Sequence, residues 1–108
     1  MADRADIPQP ENRDAEHRFV VTIDGSEAEL IYERLGRQLV LVHTEVPDEL
    51  EGRGIGGVLV RAAIELAARE NLVVVPRCPF ARRWLRRHPE VAELVEIEWP
   101  SLGARPNP

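Results

Sequence analysis

The sequence predicts a mixed α/β domain (an α+β mixed sheet) in which an antiparallel meander of strands leads into one β-α-β crossover. Three observations predict this fold. Two segments with strand-like alternation flank an Asp-Gly pair, a near-continuous apolar run follows, and a glycine-rich loop then opens a segment with helical periodicity. A chain of 108 residues is long enough for one domain with one modest core.

The meander occupies the first half of the chain. Residues 19–23 predict a strand, and Asp24-Gly25 suits a tight hairpin turn because glycine accepts positive φ. Residues 27–35 predict a second strand, since apolar and acidic side chains alternate there. Residues 38–46 predict a third, whose continuous apolar run is typical of a central strand that is covered on both faces.

The crossover follows the glycine-rich loop. One helical stripe collects the apolar residues of the next segment, which are Ile55, Leu59, Ala62, Ala63, Leu66 and Ala67. Asn71 is a suitable helix end, and residues 72–75 predict a short buried strand that runs parallel to 38–46. Residues 79–88 predict a second helix, which Pro89 ends, whereas residues 91–99 fit both a helical turn and a strand.

Composition limits the class of protein. Residues 1–16 predict a disordered tail and residues 100–108 a flexible one, which leaves 17–99 as the single folded domain. The net charge of -5 argues against a nucleic-acid binder, and no apolar run reaches the ~20 residues of a membrane span. The N-terminus is not typical of a secretory signal, and the single cysteine forms neither an internal disulfide nor a zinc pattern. We therefore expect a cytoplasmic protein without a metal.

Residues 51–57, with the sequence EGRGIGG, form the most informative motif. Backbone N–H groups at the start of a helix have no partner within it, and the helix dipole adds partial positive charge there. Glycines remove the side chains that would keep a ligand at a distance. A strand, a glycine loop and a helix in this order therefore predict a seat for a phosphate or a pyrophosphate.

Two common phosphate motifs do not fit this loop. A P-loop needs a lysine, and the chain has none, because all 14 of its basic residues are arginine. A dinucleotide fingerprint needs an acidic residue at the end of the next strand, where Pro76 and Arg77 stand. Two interpretations remain: a pyrophosphate held by amides alone, or a glycine turn that only packs the helix against the strand.

Three motifs in this order resemble a known family. They are residues 43–46 (HTEV), the glycine loop, and residues 75–80 (VPRCPF) with the later His88-Pro89. Together they resemble the small, YjdJ-type branch of the Gcn5-related N-acetyltransferase (GNAT) superfamily over nearly all of residues 18–95. The resemblance implies a minimal GNAT-like acyl-CoA N-acyltransferase fold. It also implies acetyl-CoA, or coenzyme A, as co-substrate and an unidentified amine as acceptor.

The resemblance also implies roles for particular residues. Backbone amides would hold the pyrophosphate of coenzyme A, and they belong to Arg53, Gly54, Ile55, Gly56 and Gly57. Backbone groups near Glu45 and Val46 would bind the pantetheine arm and polarise the thioester carbonyl. Two departures stand out. Glu51 replaces the arginine or glutamine that is usual at its position, and Asp24-Gly25 leaves no room for the helix pair that usually shapes the acceptor site.

Three side chains are candidates for catalysis. Cys78 precedes a proline at a predicted helix start, beside arginines, which favours a reactive thiolate. It could accept the acetyl group transiently or protonate the leaving thiolate, or it could be a small buried apolar residue. His43 could act as the general base, and Glu45, on the same face of the strand, could assist or work through a water. Otherwise His43 is a half-buried histidine bonded to backbone.

An arginine cluster on the second predicted helix has several interpretations. Arg82 and Arg83 could bind the 3′-phosphate and adenine end of coenzyme A, because arginine makes bidentate contacts to phosphate. The cluster could also contact nucleic-acid phosphates, or it could simply be a solvated helix face whose positive charge is offset by nearby glutamates. The alternative to an enzyme is a non-catalytic acyl-CoA-binding or protein-interaction module. The sequence predicts neither the acceptor nor the oligomeric state.

Overall fold

Five strands form one mixed sheet in the computed structural model of the chain, which describes residues 7–100. The strands lie in the sheet in chain order, and the first three pairings are antiparallel while the last is parallel. They are β1 (Glu11–Arg13), β2 (Arg18–Ile23), β3 (Ser26–Leu35), β4 (Gln38–Glu45) and β5 (Val73–Pro76). The mixed α/β fold and the parallel pairing of β4 with β5 are therefore confirmed.

Three helices accompany the sheet. The crossover helix α1 (Ile55–Glu70) connects β4 to β5, and α2 (Pro79–Arg87) and α3 (Pro89–Ala92) follow β5. Asn71 ends α1 in the left-handed conformation with φ of 57°, as predicted. The main core lies between these helices and one face of the sheet, where leucines of β3 and β4 meet apolar side chains of α1 and α2.

The β2–β3 hairpin turns at Asp24 and Gly25, as predicted. Their φ values are 51° and 82°, and a two-residue turn of this kind needs positive φ at both positions. The turn is too short to insert any helix between these two strands. Within the described residues, β2 is therefore followed directly by β3, without the helix pair that is usual in the family that the motifs resemble.

The other face of the sheet corrects one prediction. The apolar run of β4 predicts a strand covered on both faces, but the residues that line the groove along this second face come from strands and loops alone. Val40 is buried there by neighbouring strands, whereas 38% of Val42 is exposed. The helices thus cover one face of β4, and the prediction is wrong for the other.

The predicted disordered tail is also wrong in part. Residues 1–6 lie outside the described residues, but Glu11–Arg13 forms the edge strand β1, and a 3-10 turn follows over Asp14–Glu16. The hydroxyl of Tyr32, which is 1% exposed, lies 2.6 Å from Oδ1 of Asn12 and 2.9 Å from Oδ1 of Asp14. Polar bonds of this kind order a segment that lacks the apolar pattern of a strand.

The ambiguous segment after α2 has features of both interpretations. The short helix α3 begins at Pro89, and Ile97 then forms a parallel bridge to Val74 of β5. The bonds are Val74 N–H to the Glu96 carbonyl at 2.9 Å and Glu98 N–H to the Val74 carbonyl at 2.8 Å. They cover the outer edge of β5, which would otherwise offer unpaired backbone groups. The predicted flexible C-terminal tail, residues 100–108, lies outside the described residues except for residue 100.

None of the described helices is both long and apolar enough to cross a bilayer.

The buried tyrosine generates a prediction about alkaline stability. Burial first, and then the hydrogen bond with Asp14, raise the pKa of Tyr32 from 10.0 to about 12. A raised pKa means that the folded state keeps a proton that the unfolded state releases. Its contribution is complete below about pH 10 and is lost as the pH rises towards 12. We expect the free energy of unfolding to fall by about 1 kcal/mol between pH 10 and pH 11.

Urea unfolding at a series of pH values measures this effect, and absorbance of tyrosinate follows the titration directly. Tyr32 is the only tyrosine, and no lysine titrates in the same range. Tyr32→Phe is the control: it should lose about 1–2 kcal/mol at neutral pH and show no such alkaline decline. An equal decline in this variant would contradict the assignment.

Candidate active site

The sheet opens between β4 and β5. Their last parallel pair is Leu41 with Pro76. The N–H groups of Arg77 and Cys78 both turn back to the Leu41 carbonyl, at 3.0 and 2.9 Å. Strand β4 runs on to Glu45 without a partner on this side. A gap with one unpaired strand edge results.

A β-bulge lies in β4 at the start of this gap. Tyr32 pairs with Leu41 and Ile31 with His43, so Val42 has no partner on β3. A bulge redirects the side chains that follow it, and bulges are common beside functional sites. Here it places Val42 in the groove of the second face and His43 in the wall of a pocket that occupies the gap.

The glycine loop lies across this gap at the start of α1. Gly54 is the N-cap residue with φ of 81°, and Gly52 has φ of 85°. No side chain caps the helix, and its first internal bond runs from Val58 N–H to the Gly54 carbonyl at 3.2 Å. The N–H groups of residues 54–57 therefore have no partner within α1. A side chain on Gly52 or Gly54 would meet nothing within 4 Å, so open space adjoins these positions.

Gly56 and Gly57 lack side chains for a different reason, which is the packing of α2 against α1. A Cβ on Gly56 would lie 2.7 Å from Cζ of Phe80, and one on Gly57 would lie 2.3 Å from Nε1 of Trp84. Both aromatic side chains belong to α2, which can approach α1 only because these positions lack side chains. Both interpretations of the loop therefore apply, but to different glycines: Gly52 and Gly54 adjoin open space, whereas Gly56 and Gly57 allow the helices to pack.

Trp84 is held from both sides. The guanidinium of Arg61 lies 5.8 Å from the ring centroid, and the ring of His88 stacks at 3.9 Å. A ring nitrogen of His88, Nδ1, lies 2.8 Å from the Trp84 carbonyl. These contacts fix the indole beside the first turn of α1.

The gap and the glycine loop enclose one pocket of about 730 Å³, a volume within the usual range of ligand sites. Its wall comes from the free end of β4, the loop, the first turn of α1 and the aromatic side of α2. The lining residues are His43, Thr44, Glu45, Val46, Leu50, Glu51, Gly52, Gly54, Ile55, Gly56, Gly57, Phe80 and Trp84.

A hydrogen bond attaches the segment before the glycine loop to the start of β3. The Ser26 hydroxyl donates to Oε2 of Glu49 at 2.6 Å, and this bond lowers the pKa of the Glu49 carboxyl. Glu49 belongs to a 3-10 turn, Asp48–Leu50, whose Leu50 side chain is buried in the core. The segment between β4 and the glycines is therefore attached to the body of the domain.

Several predicted site residues meet in this pocket. His43, Glu45 and Val46 lie on one side and residues 54–57 on the other. The imidazole Nε2 of His43 lies 3.5 Å from Oε1 of Glu45, and more than half of each side chain is exposed. An exposed pair of this kind contributes little to stability, so both groups are available to a ligand.

Cys78 lies elsewhere. It is the N-cap residue of α2, as predicted, but its side chain is 2% exposed and is part of the core. Its Sγ lies 3.3 Å from Oγ1 of Thr44, and Thr44, not Cys78, lines the pocket. The thiol is therefore separated from the pocket by one side chain.

The predicted arginines do not line the pocket either. Nη1 of Arg82 donates to the carbonyls of Pro76 and Arg77, at 3.3 and 2.7 Å, and so closes the end of β5. Arg53 and Arg83 are absent from the lining as well. Their roles toward a cofactor stay predictions.

Sequence reasoning missed four residues of the wall: Thr44, Leu50, Phe80 and Trp84. Thr44 lies within the HTEV motif. Phe80 and Trp84 are four residues apart, so they share one face of α2, and this spacing was the available signal. Among residues 7–100, no group of three or more His, Cys, Asp or Glu side chains could hold a metal ion.

Known proteins resemble this chain in sequence and in fold. A family model described as GCN5-related N-acetyl-transferase matches residues 18–94. Protein NATD1 of Gallus gallus is 34% identical over 84 residues, which are 75% of this chain and 76% of the relative. Protein NATD1 of Homo sapiens is 36% identical over 75 residues, which are 67% of this chain and 66% of the relative. The NMR solution structure of a GCN5-like protein from Staphylococcus aureus matches with a TM-score of 0.62 at 28% identity, covering 86% of this chain and 89% of that one.

The close contact of α1 with α2 generates a prediction about Gly57. Alanine normally favours a helix over glycine by about 1 kcal/mol, but here its methyl group would overlap the Trp84 indole. We expect Gly57→Ala to destabilise the protein by about 1–3 kcal/mol and to change the tryptophan fluorescence. Thermal unfolding followed by both signals measures this.

The double variant Gly57→Ala/Trp84→Ala provides the control. Without the indole, the alanine at position 57 should be neutral or stabilising relative to Trp84→Ala alone. If Gly57→Ala lowers the free energy of unfolding by the same amount with and without the Trp84 indole, contact with Trp84 is not the reason why position 57 is a glycine.

Proposed function

Because this chain belongs to the GCN5-related N-acetyltransferase family, we propose that it binds acetyl-CoA and transfers the acetyl group to an amine acceptor. One observation carries the proposal: the free N–H groups of the α1 start and the unpaired edge of β4 line the same pocket. The YjdJ-type branch and a cytoplasmic location are part of the same proposal.

The start of α1 would hold the pyrophosphate of coenzyme A. The N–H groups of residues 54–57 offer hydrogen bonds and the positive end of the helix dipole. Open space at Gly52 and Gly54 allows a ligand to approach the backbone. Glu51 is exposed and also lines the pocket, so its carboxylate must turn away from a bound diphosphate. The residues present therefore fit an amide-only diphosphate site.

The free edge of β4 would hold the acyl end. Residues 42–45 carry backbone groups that β5 leaves unpaired, and a pantetheine arm has amides that can pair with them. Acetyl-CoA supplies a thioester whose C–S bond breaks as the acceptor nitrogen bonds to the carbonyl carbon. A backbone N–H near Glu45 or Val46 would stabilise the negative charge that develops on the carbonyl oxygen.

His43 is the candidate base for the acceptor amine. His43 is one of the residues that line the pocket, and its side chain is exposed, so it can take a proton from an amine directly or through a water. Glu45, whose Oε1 lies 3.5 Å from Nε2 of His43, would orient the ring. The two side chains lie at the pocket, where the acyl group would emerge.

Direct attack of the amine fits this geometry better than a route through Cys78. A covalent route needs the thiol to reach the thioester, but Cys78 is buried and Thr44 stands between it and the pocket. We therefore assign Cys78 to packing at the start of α2 and keep the acetyl-cysteine route as the mechanistic alternative.

A non-catalytic module that binds acyl-CoA, or a protein partner, is the second candidate function. The two-residue hairpin between β2 and β3 favours it, because the chain has no helices there to shape an acceptor site. Consumption of thioester with a panel of amines and polyamines separates the two. Binding of coenzyme A without turnover would favour the module.

Calorimetry with coenzyme A tests the cofactor site. We expect Gly54→Ala to weaken binding by about tenfold or more, because a side chain at the helix start disturbs the amides that hold the diphosphate. Gly36→Ala is a matched control: Gly36 also has positive φ, a Cβ there also meets nothing within 4 Å, and it lies outside the pocket.

The control should bind coenzyme A as the unchanged protein does, although both variants carry similar backbone strain, about 1–2 kcal/mol. No heat of binding at millimolar coenzyme A in the unchanged protein rejects the proposal. An equal loss in Gly36→Ala would mean that general destabilisation, not the site, weakens binding.

Two variants test the route of the acetyl group and of the proton. His43→Gln should lower kcat by about 10²-fold or more and remove the decline in rate that protonation of a base causes at acidic pH. Cys78→Ala should keep kcat within about threefold, since a buried thiol outside the pocket takes no part. Steady-state rates over a pH series measure both.

The opposite pattern would support the acetyl-cysteine route. In that case Cys78→Ala loses turnover, and mass spectrometry finds one acetyl group on Cys78 in the unchanged protein. A pH profile that is the same with and without His43 ends its candidacy as the base.

A further inference from the structure

The free end of β4 divides the pocket into two sides. Side chains alternate along a strand, so Thr44 lies on the opposite face of β4 from His43 and Glu45. Leu30, the partner of Thr44 on β3, is buried in the core between the sheet and the helices. Thr44 therefore belongs to the helix side of the pocket, whereas the candidate base belongs to the open face of the sheet.

A contact with Cys78 holds the Thr44 side chain on this side. Oγ1 of Thr44 lies 3.3 Å from Sγ of Cys78, which is part of the core. A hydroxyl has one hydrogen and two lone pairs, so Oγ1 can accept a hydrogen bond from the thiol and still donate its own hydrogen. Because Thr44 is half-buried and is one of the residues that line the pocket, that hydrogen can reach a ligand there.

No other hydroxyl of the described chain has this position. Thr22, Ser26 and Tyr32 carry the remaining hydroxyl groups of residues 7–100, and none of them lines the pocket. The hydroxyls of Ser26 and Tyr32 are also bonded to other side chains. Within residues 7–100, Thr44 thus supplies the one hydroxyl of the pocket wall.

We propose that the Thr44 hydroxyl donates a hydrogen bond to the sulfur of coenzyme A and so stabilises the thiolate that leaves. This inference rests on the proposed function. As the acceptor nitrogen bonds to the carbonyl carbon and the C–S bond breaks, the electron pair of that bond goes to sulfur. The amine proton goes to His43, and the thiolate takes a proton from water after release. Thr44 keeps its own hydrogen throughout.

The hydroxyl contributes to the rate because sulfur gains negative charge as the bond breaks. A hydrogen bond to an ionised acceptor is stronger than one to a neutral acceptor, so this bond strengthens towards the transition state. The sides of β4 also fit the two reactants. Coenzyme A would extend from the start of α1, on the helix side with Thr44, and the amine would meet His43 on the other face.

The Trp84 indole is the other neutral side-chain donor of the wall, but its position is different. Its Nε1 is the atom that a Cβ on Gly57 would meet, so this N–H lies beside the first turn of α1. That is where the diphosphate would bind, one arm's length of pantetheine away from the sulfur. Thr44, on β4, is the donor at the acyl end.

Titration of bound coenzyme A tests this inference. In Cys78→Ala the thiol of coenzyme A is the only one in the complex, because the chain has a single cysteine. Ultraviolet absorbance then follows its thiolate, and Tyr32 does not interfere, since burial raises the pKa of that tyrosine to about 12. We expect the bound thiol to have a pKa about one unit below that of free coenzyme A, because a hydrogen bond to the charged form favours it.

Substitutions of Thr44 in this background separate the hydrogen bond from a merely structural role. Thr44→Val keeps the branched shape but removes the hydroxyl, so it should raise the pKa of the bound thiol by about one unit. Thr44→Ser keeps the hydroxyl and should leave that pKa low. In steady-state kinetics, Thr44→Val should lower kcat by about tenfold with little change in KM for acetyl-CoA, and Thr44→Ser should keep kcat within about threefold.

Thr22→Val is the matched control. It removes the only other threonine hydroxyl of the chain, which is exposed on β2 outside the pocket, and it should change neither the titration nor kcat. A bound thiol with the pKa of free coenzyme A overturns the inference. So does a lowered pKa that survives Thr44→Val, or one that is lost in Thr44→Ser. In each of these cases coenzyme A still binds and the proposed function stands, whereas a lack of binding rejects both.

Discussion

The separation of β4 from β5 is the constraint on which the rest of the site depends. The ladder ends after the pair of Leu41 with Pro76, where the N–H groups of both Arg77 and Cys78 bond to the Leu41 carbonyl and the chain turns into α2. From that point β4 has a free edge, and the start of α1 lies across the gap. This turn of the chain away from β4 thus leaves the opening that a thioester would need, while the surrounding core stays packed.

The glycine loop shows how one short motif meets two physical demands. Gly52 and Gly54 adopt positive φ beside open space, and this frees the first amides of α1 for a ligand. Gly56 and Gly57 instead admit Phe80 and Trp84, and this contact fixes α2 against α1. Because α2 also begins where β5 ends, the same packing holds the two sides of the gap in place. Ligand access and helix packing are therefore coupled within six residues.

Much of this arrangement could be predicted from the sequence, since it rests on local signals. Periodicity located the strands and α1, the Asp24-Gly25 pair located the hairpin, and the motif order located the pocket wall at His43 and at residues 54–57. Long-range polar contacts were not predictable. The edge strand β1 depends on hydrogen bonds to Tyr32, and nothing in the local sequence indicates them. Likewise, the position of Cys78 at a helix start was predicted, but its burial depends on packing from distant elements.

The uncovered sheet face connects the fold to the acceptor question. Val42 is exposed beside the gap, on the face that carries no helix within residues 7–100. His43 pairs with Ile31 and Glu45 with Glu29, so both lie at the end of this same face, next to the groove. No helix of residues 7–100 covers this end of the face, so an acceptor amine would have an open approach to both exposed side chains from this side.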